Sequence, residues 1–410
     1  MKCVAPTKII CTLGPSSNSE ETIKKMIDAG MCIARINFSH GNGADQQDTF
    51  DVLNRIRNSD AYSSLAIAID TKGPEIRTGV FEEEVYVEKG DRVVLTTDTQ
   101  YKSVCNKNKI FIDHAGVYDD LNSSTKNIYI DDGKIDLEIV EVSKEKQEIL
   151  TCVKTPGKIS SHKGVNIPNA KLSLPSISEK DRADILFGVE HGANFIFASF
   201  IREKENIKEI REIVNNTEIK IIAKIESQQG IDNIAEIVKE ADGIMIARGD
   251  LGIEVEYSRL FSIQCKISKE CRAQGKPFIV ATQILESMTD STRPTRAEIT
   301  DLSFAVLSGA GCVMLSGETA AGKYPVETVQ AMQKVITEVS KSTVFPSDQN
   351  YSGLIVIPPA NTINVFISNN KTNVRSMQIV FGCYPVHTSA YEKKNLLVPE
   401  GYTIREDRSE

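Results

Sequence analysis

The stretch Ile219–Gly230, IKIIAKIESQQG, begins as a β-branched apolar run and closes on two charges, Lys224 and Glu226. Residues two apart in an extended strand project to the same face, so both charges aim at one spot. Similar endings recur along the chain. MCIARIN runs into FS, which sets Arg35, Asn37 and Ser39 at period two. LAIAID ends in Asp70-Thr71-Lys72, GIMIA in Arg248-Gly249-Asp250, PFIVA in Thr282-Gln283 and CVML in Ser316-Gly317-Glu318. Each is a short apolar run that stops at polar residues.

The residue types narrow the chemistry. Glu226 and Asp250 suit a hard divalent cation such as Mg2+, which takes one or two carboxylates and fills its remaining positions with water and substrate oxygens. Arg35, Arg77, Lys163 and Lys224 form a cationic set suited to phosphate. Asn37, Ser39, Asp70 and Thr71 offer oxygens without thiol or imidazole, which suits an alkali cation. Gly249 and Asp250–Gly252 precede helical sequence, where backbone N–H groups can hold an anion. Together they describe a metal-assisted site for phosphorylated anions, where positioning and charge neutralisation matter more than a nucleophile. No Ser–His–Asp arrangement, G-x-x-x-x-G-K-[ST] loop or post-strand G-x-G-x-x-G is present.

Taken singly, these residues have plainer readings. A Lys–Glu pair is usually an exposed salt bridge worth ~0–1 kcal/mol. His40 alone reads as a loop histidine, Arg77 as a hinge ion pair and Ser316 as a cap. Glu82–Glu84 reads as a solvated face and Asp131-Asp132 as a hairpin turn. The balance changes only if the pairs share the mouth of one barrel, where enclosing charges costs desolvation and needs a purpose.

The elements that would position them alternate. Strand candidates Thr7–Cys11, Met31–Asn37 and Leu65–Asp70 are separated by helical Ser19–Ala29 and Ala44–Asn58. From Pro74 to Leu174 the chain reads as hairpins with no strong helix. Alternation resumes with strands Asn194–Ala198, Ile219–Lys224, Gly243–Ala247, Pro277–Ala281 and Cys312–Leu315. Between and after them lie helices Glu179–His191, Lys204–Asn215, Ile231–Glu240, Tyr257–Gln274, Thr295–Ser308 and Val326–Ser340. Three strands plus five make eight, which predicts an α/β fold: a (β/α)8 barrel interrupted after its third strand by a β-rich lid. The expected division is residues 1–73 with 175–343 as barrel, 74–174 as lid and 344–410 as a small C-terminal α/β domain with strand candidates LIVI and MQIVF. Active sites of such barrels lie at the C-terminal strand ends, where the polar residues collect.

Bulk properties agree with a globular enzyme. The chain has 410 residues, 40% hydrophobic and 25% charged, with a formal charge of −8. That balance argues against a nucleic-acid surface, which needs a basic field. No secretory signal is evident near Met1, and no run reaches the roughly 20 apolar residues of a membrane span. The nine cysteines are scattered, with no C-x-x-C pair, so reduced thiols and a cytosolic location are expected.

MCIARINFSHG, DTKGPEIRTG, HKGVNIP, KIESQQG, DGIMIARGDLG, ATQILESM, RPTRAE and MLSGETA resemble, in order and spacing over about Thr7 to Ser340, the pyruvate kinase family. The resemblance implies phosphoryl transfer from phosphoenolpyruvate to ADP, giving pyruvate and ATP, in a homotetramer or homodimer. By that likeness Lys224 would stabilise the phosphoryl group in flight. Glu226 and Asp250 would hold Mg2+, and Asn37, Ser39, Asp70 and Thr71 would hold K+. Arg35 and Arg77 would contact phosphates, while Asn37, His40, Arg77 and Lys163 match nucleotide positions. The backbone at Gly249 and Asp250, with Thr282, would bind the substrate carboxylate, and Thr282 and Ser316 would support protonation of enolpyruvate.

Three departures stand out. Phe304 and Ser308 replace residues that are usually asparagine and aspartate, and Cys265 stands where lysine is common. These positions lie on barrel helices, so altered packing or subunit contact is expected, with the chemistry spared. The segment Phe345–Glu410 is short for the family's C-terminal domain and shows no sugar-bisphosphate loop, so indifference to fructose 1,6-bisphosphate is expected. Two other readings stay open: a catalytically silent nucleotide-binding relative, and a metal-dependent lyase acting on oxaloacetate-like acids. ADP dependence separates the lyase from the kinase.

Overall fold

The computed structural model describes residues 7–39, 41, 43–215 and 218–341, with the backbone of 365–369, 375–376 and 402–406. Eight parallel strands close into a barrel. In chain order they are Lys8–Thr12, Met31–Asn37, Ala66–Asp70, Phe195–Ala198, Lys220–Ile225, Gly243–Ala247, Phe278–Ala281 and Cys312–Leu315, called here the first to the eighth. The eighth pairs back onto the first, Lys8 opposite Cys312 through Cys11 opposite Leu315.

Alternation along each strand builds two layers. One parity, including Ile10, Ile33, Ala68, Phe197, Ile222, Met245, Ile279 and Met314, fills the barrel interior. The other, including Ile9, Ala34, Ile67, Ile196, Ile221, Ile244, Val280 and Val313, packs outward against the helices. Both faces are apolar, as a sheet covered on both sides requires. The helices start on local signals. Ser19 accepts from the Thr22 N–H, and Ser178 with Asp181 and Thr295 with Glu298 form capping boxes.

Between the third and fourth strands the chain forms a seven-stranded sheet that includes Arg92–Thr96, Asn127–Ile130, Ile135–Ser143 and Glu148–Thr155. It has its own apolar core, with Val93, Leu95, Ile128, Ile135, Leu137 and Ile149 fully buried. Asp131 and Asp132 make the tight turn expected of them, with φ of 55° and 56°. The two connections back to the barrel are anchored by specific bonds. Gly73, at φ +70°, donates its N–H to Asp181 Oδ1 at 3.0 Å. Arg202 grips the Leu172 and Leu174 carbonyls, each at 2.6 Å, while Ser173 between them donates to Asp120 Oδ2. His114 Nε2 lies 2.5 Å from that same oxygen.

Several expectations shift. The helix expected over Ile231–Glu240 is two, Gln228–Asp232 and Ile234–Glu240, divided at Asn233. Tyr257–Gln274 opens with a 3-10 turn before the helix Leu260–Gln274. Short helices Arg248–Glu254 and Gly317–Ala320 follow the sixth and eighth strands, too brief to show an apolar period in the sequence. The Phe304 ring meets Phe261 at a centroid distance of 4.9 Å, joining the helices that carry them. Beyond Lys341, backbone is described for Val365–Asn369, Arg375–Ser376 and Tyr402–Glu406, which pair as a small antiparallel sheet. The runs LIVI and MQIVF and the linker before them lie outside the described residues. Among the described residues, no helix is long and apolar enough to cross a membrane.

Candidate active site

Strand parity decides what reaches the barrel mouth. Two residues beyond the last interior side chain of each strand stand Thr12, Arg35, Asp70, Ser199, Lys224, Gly249, Gln283 and Ser316. Lys224 therefore continues the inward row begun by Ile222, and Glu226 extends it by one more step.

The centre is a chain of ion pairs that the barrel encloses. Arg35 Nε donates to Asp70 Oδ2 at 2.7 Å, and its Nη1 to Thr12 Oγ1 at 2.8 Å. Lys224 Nζ donates to Asp70 Oδ1 at 2.9 Å and to Ser199 Oγ at 2.7 Å. Asp70 is 1% exposed, Glu226 0%, and Arg35 and Lys224 8% each. Burial opposes ionisation of Asp70, but the adjacent Arg35 and Lys224 outweigh it and hold its carboxyl below the usual range. Burial likewise pulls Lys224 down, yet Asp70 and Glu226 together hold it above its ordinary value.

Glu226 is the exception. Its Oε2 accepts the Phe200 N–H at 2.7 Å. Its Oε1 lies 3.1 Å from Lys224 Nζ, out of line for a hydrogen bond, and has no such partner among the described residues. Burial pushes its pKa up to about 7; Lys224 opposes the rise and Asp250 adds to it. Arg35 and Lys224 against Asp70 and Glu226 leave the buried centre balanced in charge, with one carboxylate oxygen lacking a hydrogen bond.

Around this centre lie the other expected residues. Asn37 pairs in register with Asp70 across the second and third strands, and its Oδ1 accepts the Ser39 N–H at 3.1 Å. Thr71 Oγ1 and its carbonyl both bond Ser199. Gly249 and Asp250 occupy the first turn of Arg248–Glu254. The Gly249 N–H expected to be available for an anion donates instead to Thr282 Oγ1 at 2.7 Å. Thr282 has φ 69° and Gln283 52°, an uncommon backbone for a β-branched residue and a mark of a constrained site. Arg248 fixes this turn by donating to the Thr282 carbonyl and to both oxygens of Asp301, each at 2.7 Å. The Ser316 N–H donates to Glu318 Oε2 at 2.7 Å, and Glu318 is fully buried with Oε1 taking the Leu285 N–H.

Arg77 and Lys163 stand apart from that network, on the inserted sheet. Arg77 pairs with Glu75 at 2.6 Å and donates to the His162 carbonyl; Lys163 pairs with Asp131 at 2.9 Å. Lys163 lines a concavity of about 480 Å3 with Tyr86, Lys134 and Lys158, away from Lys224. A cleft of about 240 Å3, lined by Leu13, Gly14, Pro15, Asn18, Ile36, Gln46 and Thr49, opens beside the second strand. His40 lies outside the described residues. Thr12, Ser199 and Glu318 are participants given no role in the sequence reading; Thr12 and Ser199 are not singled out there at all, and Glu318 is named only as a strand-end residue. Period two from Ile10 and Phe197 would have found the first two.

Residues 4–329 match the profile of the family described as pyruvate kinase, barrel domain. The pyruvate kinase of Hypocrea jecorina is 42% identical over 361 residues, covering 87% of this chain and 67% of that one. Pyruvate kinase 1 of Trypanosoma brucei brucei is 44% identical over 364 residues, 86% of this chain and 71% of its own length. The chain belongs to the pyruvate kinase family. The pyruvate kinase of Schizosaccharomyces pombe, 45% identical over 357 residues, aligns with 86% of this chain and 70% of itself. Pyruvate kinases are phosphotransferases of glycolysis, and every barrel-mouth residue described above falls within the matched span.

Proposed function

We propose that this member of the pyruvate kinase family transfers the phosphoryl group of phosphoenolpyruvate to ADP, forming ATP and enolpyruvate, which is protonated to pyruvate. The observation that carries this reading is the enclosed pair Lys224–Glu226, in which Glu226 Oε1 has no hydrogen-bond partner among the described residues. A buried carboxylate oxygen with no hydrogen bond fits a cation ligand, because leaving it alone costs about 1–3 kcal/mol or more. Glu226 and Asp250 would hold Mg2+, whose charge would offset that of the phosphoryl oxygens. Asn37, Ser39, Asp70 and Thr71 present only oxygen donors close to Asp70, which fits K+.

The chain's own groups divide the remaining work. Lys224 supplies a fixed positive charge where the phosphoryl group passes, and Arg35 a second one braced by Thr12 and Asp70. The Gly249–Asp250 turn and Thr282 orient the substrate carboxylate. Thr282 and Ser316 hold water near the carbon that gains the proton. Residues 74–174 form a lid that brings Arg77 and Lys163 towards the nucleotide, to which His40 is also assigned. Their closure keeps out water that would waste the phosphoryl group. The homotetramer, cytosolic location and indifference to fructose 1,6-bisphosphate belong to the same proposal.

Omission assays test it. Pyruvate should form from phosphoenolpyruvate only with ADP and Mg2+ together, faster with K+ and unchanged by fructose 1,6-bisphosphate. Pyruvate formation from oxaloacetate without ADP would replace this reading with the lyase one.

A further inference from the structure

Ser199 follows the fourth strand directly and is 3% exposed at the centre of the barrel mouth. Its N–H donates to Thr71 Oγ1 at 3.0 Å. Its Oγ lies 2.6 Å from the Thr71 carbonyl oxygen, 2.7 Å from Lys224 Nζ and 3.3 Å from Asp70 Oδ1. A serine hydroxyl has one proton to give and lone pairs to accept with. The Thr71 carbonyl is the nearest acceptor and takes that proton. An ammonium only donates, so Lys224 must bond to a lone pair of the same oxygen. Both bond directions are thereby fixed.

Three protons sit on the Lys224 ammonium. One goes to Asp70 Oδ1 and one to Ser199, while the remaining acceptor in reach, Glu226 Oε1, is out of line. We propose that Ser199 is a positioning residue for Lys224: its hydroxyl, oriented by Thr71, shares the ammonium with Asp70 and keeps it from turning onto Glu226, leaving one N–H for the barrel mouth. This rests on the reading of Lys224 as the group that meets the phosphoryl in flight. Without the hydroxyl, Asp70 and Glu226 are the strongest acceptors left. The ammonium then settles on them, since charge-assisted bonds outcompete neutral ones.

The test compares wild type, Ser199→Ala and Ser199→Cys in ADP-dependent pyruvate formation, with thermal unfolding as the check on folding. Cysteine keeps the shape and a weak acceptor, so it should fall between the other two. For Ser199→Ala, kcat should drop about 10- to 100-fold, as a misplacement near 1 Å can cause. KM for phosphoenolpyruvate should stay within about twofold, the signature of an interaction felt in the transition state. In a Lys224→Arg background the same change should have little further effect, because both act through one group. A folded Ser199→Ala protein with wild-type kcat, or losses that simply multiply in the Lys224→Arg background, would overturn the inference while leaving the functional reading intact. A wild type that forms no pyruvate would overturn both.

Discussion

Glu226 is enclosed beside one lysine, with one oxygen bonded to a backbone N–H and the other without a hydrogen-bond partner among the described residues. Its raised pKa has a consequence for stability. Between the ordinary value of 4.5 and about 7, the unfolded chain has released a proton that the folded chain still holds. Raising pH through that window therefore favours unfolding, so stability present below it is lost above it. Without metal, the thermal midpoint should fall between about pH 5 and pH 8 by more in wild type than in Glu226→Gln. Glu254, also pushed up to about 7 by burial, remains in both proteins and cancels in the difference. Mg2+ at pH 8 should restore the wild-type midpoint and leave Glu226→Gln little changed. Matching pH profiles, or equal stabilisation of both proteins by Mg2+, would contradict the assignment of Glu226. Lys224, Glu226 and Arg35 were legible from the sequence because strand period two and charge together mark them. Ser199 was not, since a serine after a strand is usually a turn or cap residue. A hinge ion pair was one reading of Arg77, and it pairs with Glu75, but the ion pair that occupies Lys163 was not legible. Residues 131 and 163 become neighbours only through the pairing of sheet strands distant in sequence.

At the scale of elements, the strands Met31–Asn37, Gly243–Ala247 and Cys312–Leu315 have the bounds expected of them; the last two are continuous apolar runs ended by a polar residue, and the first is apolar apart from Arg35 and its closing Asn37. The strand-end turns escaped such reading. The turn after the seventh strand is held by Arg248, which links the sixth strand's end to Asp301 on helix Arg296–Leu307. Asp301→Ala frees that guanidinium and with it the Thr282 carbonyl. KM for phosphoenolpyruvate should rise about tenfold, equivalent to ~1.4 kcal/mol of lost binding. Steady-state kinetics check this, and an unchanged KM would show that the turn holds without Arg248. Phe304 belongs to the same scale: its contact with Phe261 repacks two barrel helices without touching Lys224 or its partners.

At the scale of the molecule, the inserted sheet and the barrel have separate apolar cores, joined through two short connections. Removing side-chain volume from one core should therefore be felt mainly there. Ile149→Ala, at a fully buried position of the inserted sheet, should destabilise that sheet by about 2–5 kcal/mol. Hydrogen exchange should then quicken across Arg92–Thr96, Ile135–Ser143 and Glu148–Thr155 while the barrel strands stay protected. Equal loss of protection in both would show one cooperative unit. The whole arrangement serves a single claim: eight strand ends aim one buried lysine at a transferring phosphoryl group. The most direct measurement is the rate of ADP-dependent pyruvate formation from phosphoenolpyruvate by wild type and Lys224→Met, at saturating Mg2+ and K+. Rapid turnover by the wild type and a loss of at least about 100-fold in a folded Lys224→Met protein is the expected result. Comparable turnover by the two proteins would contradict the account at its centre.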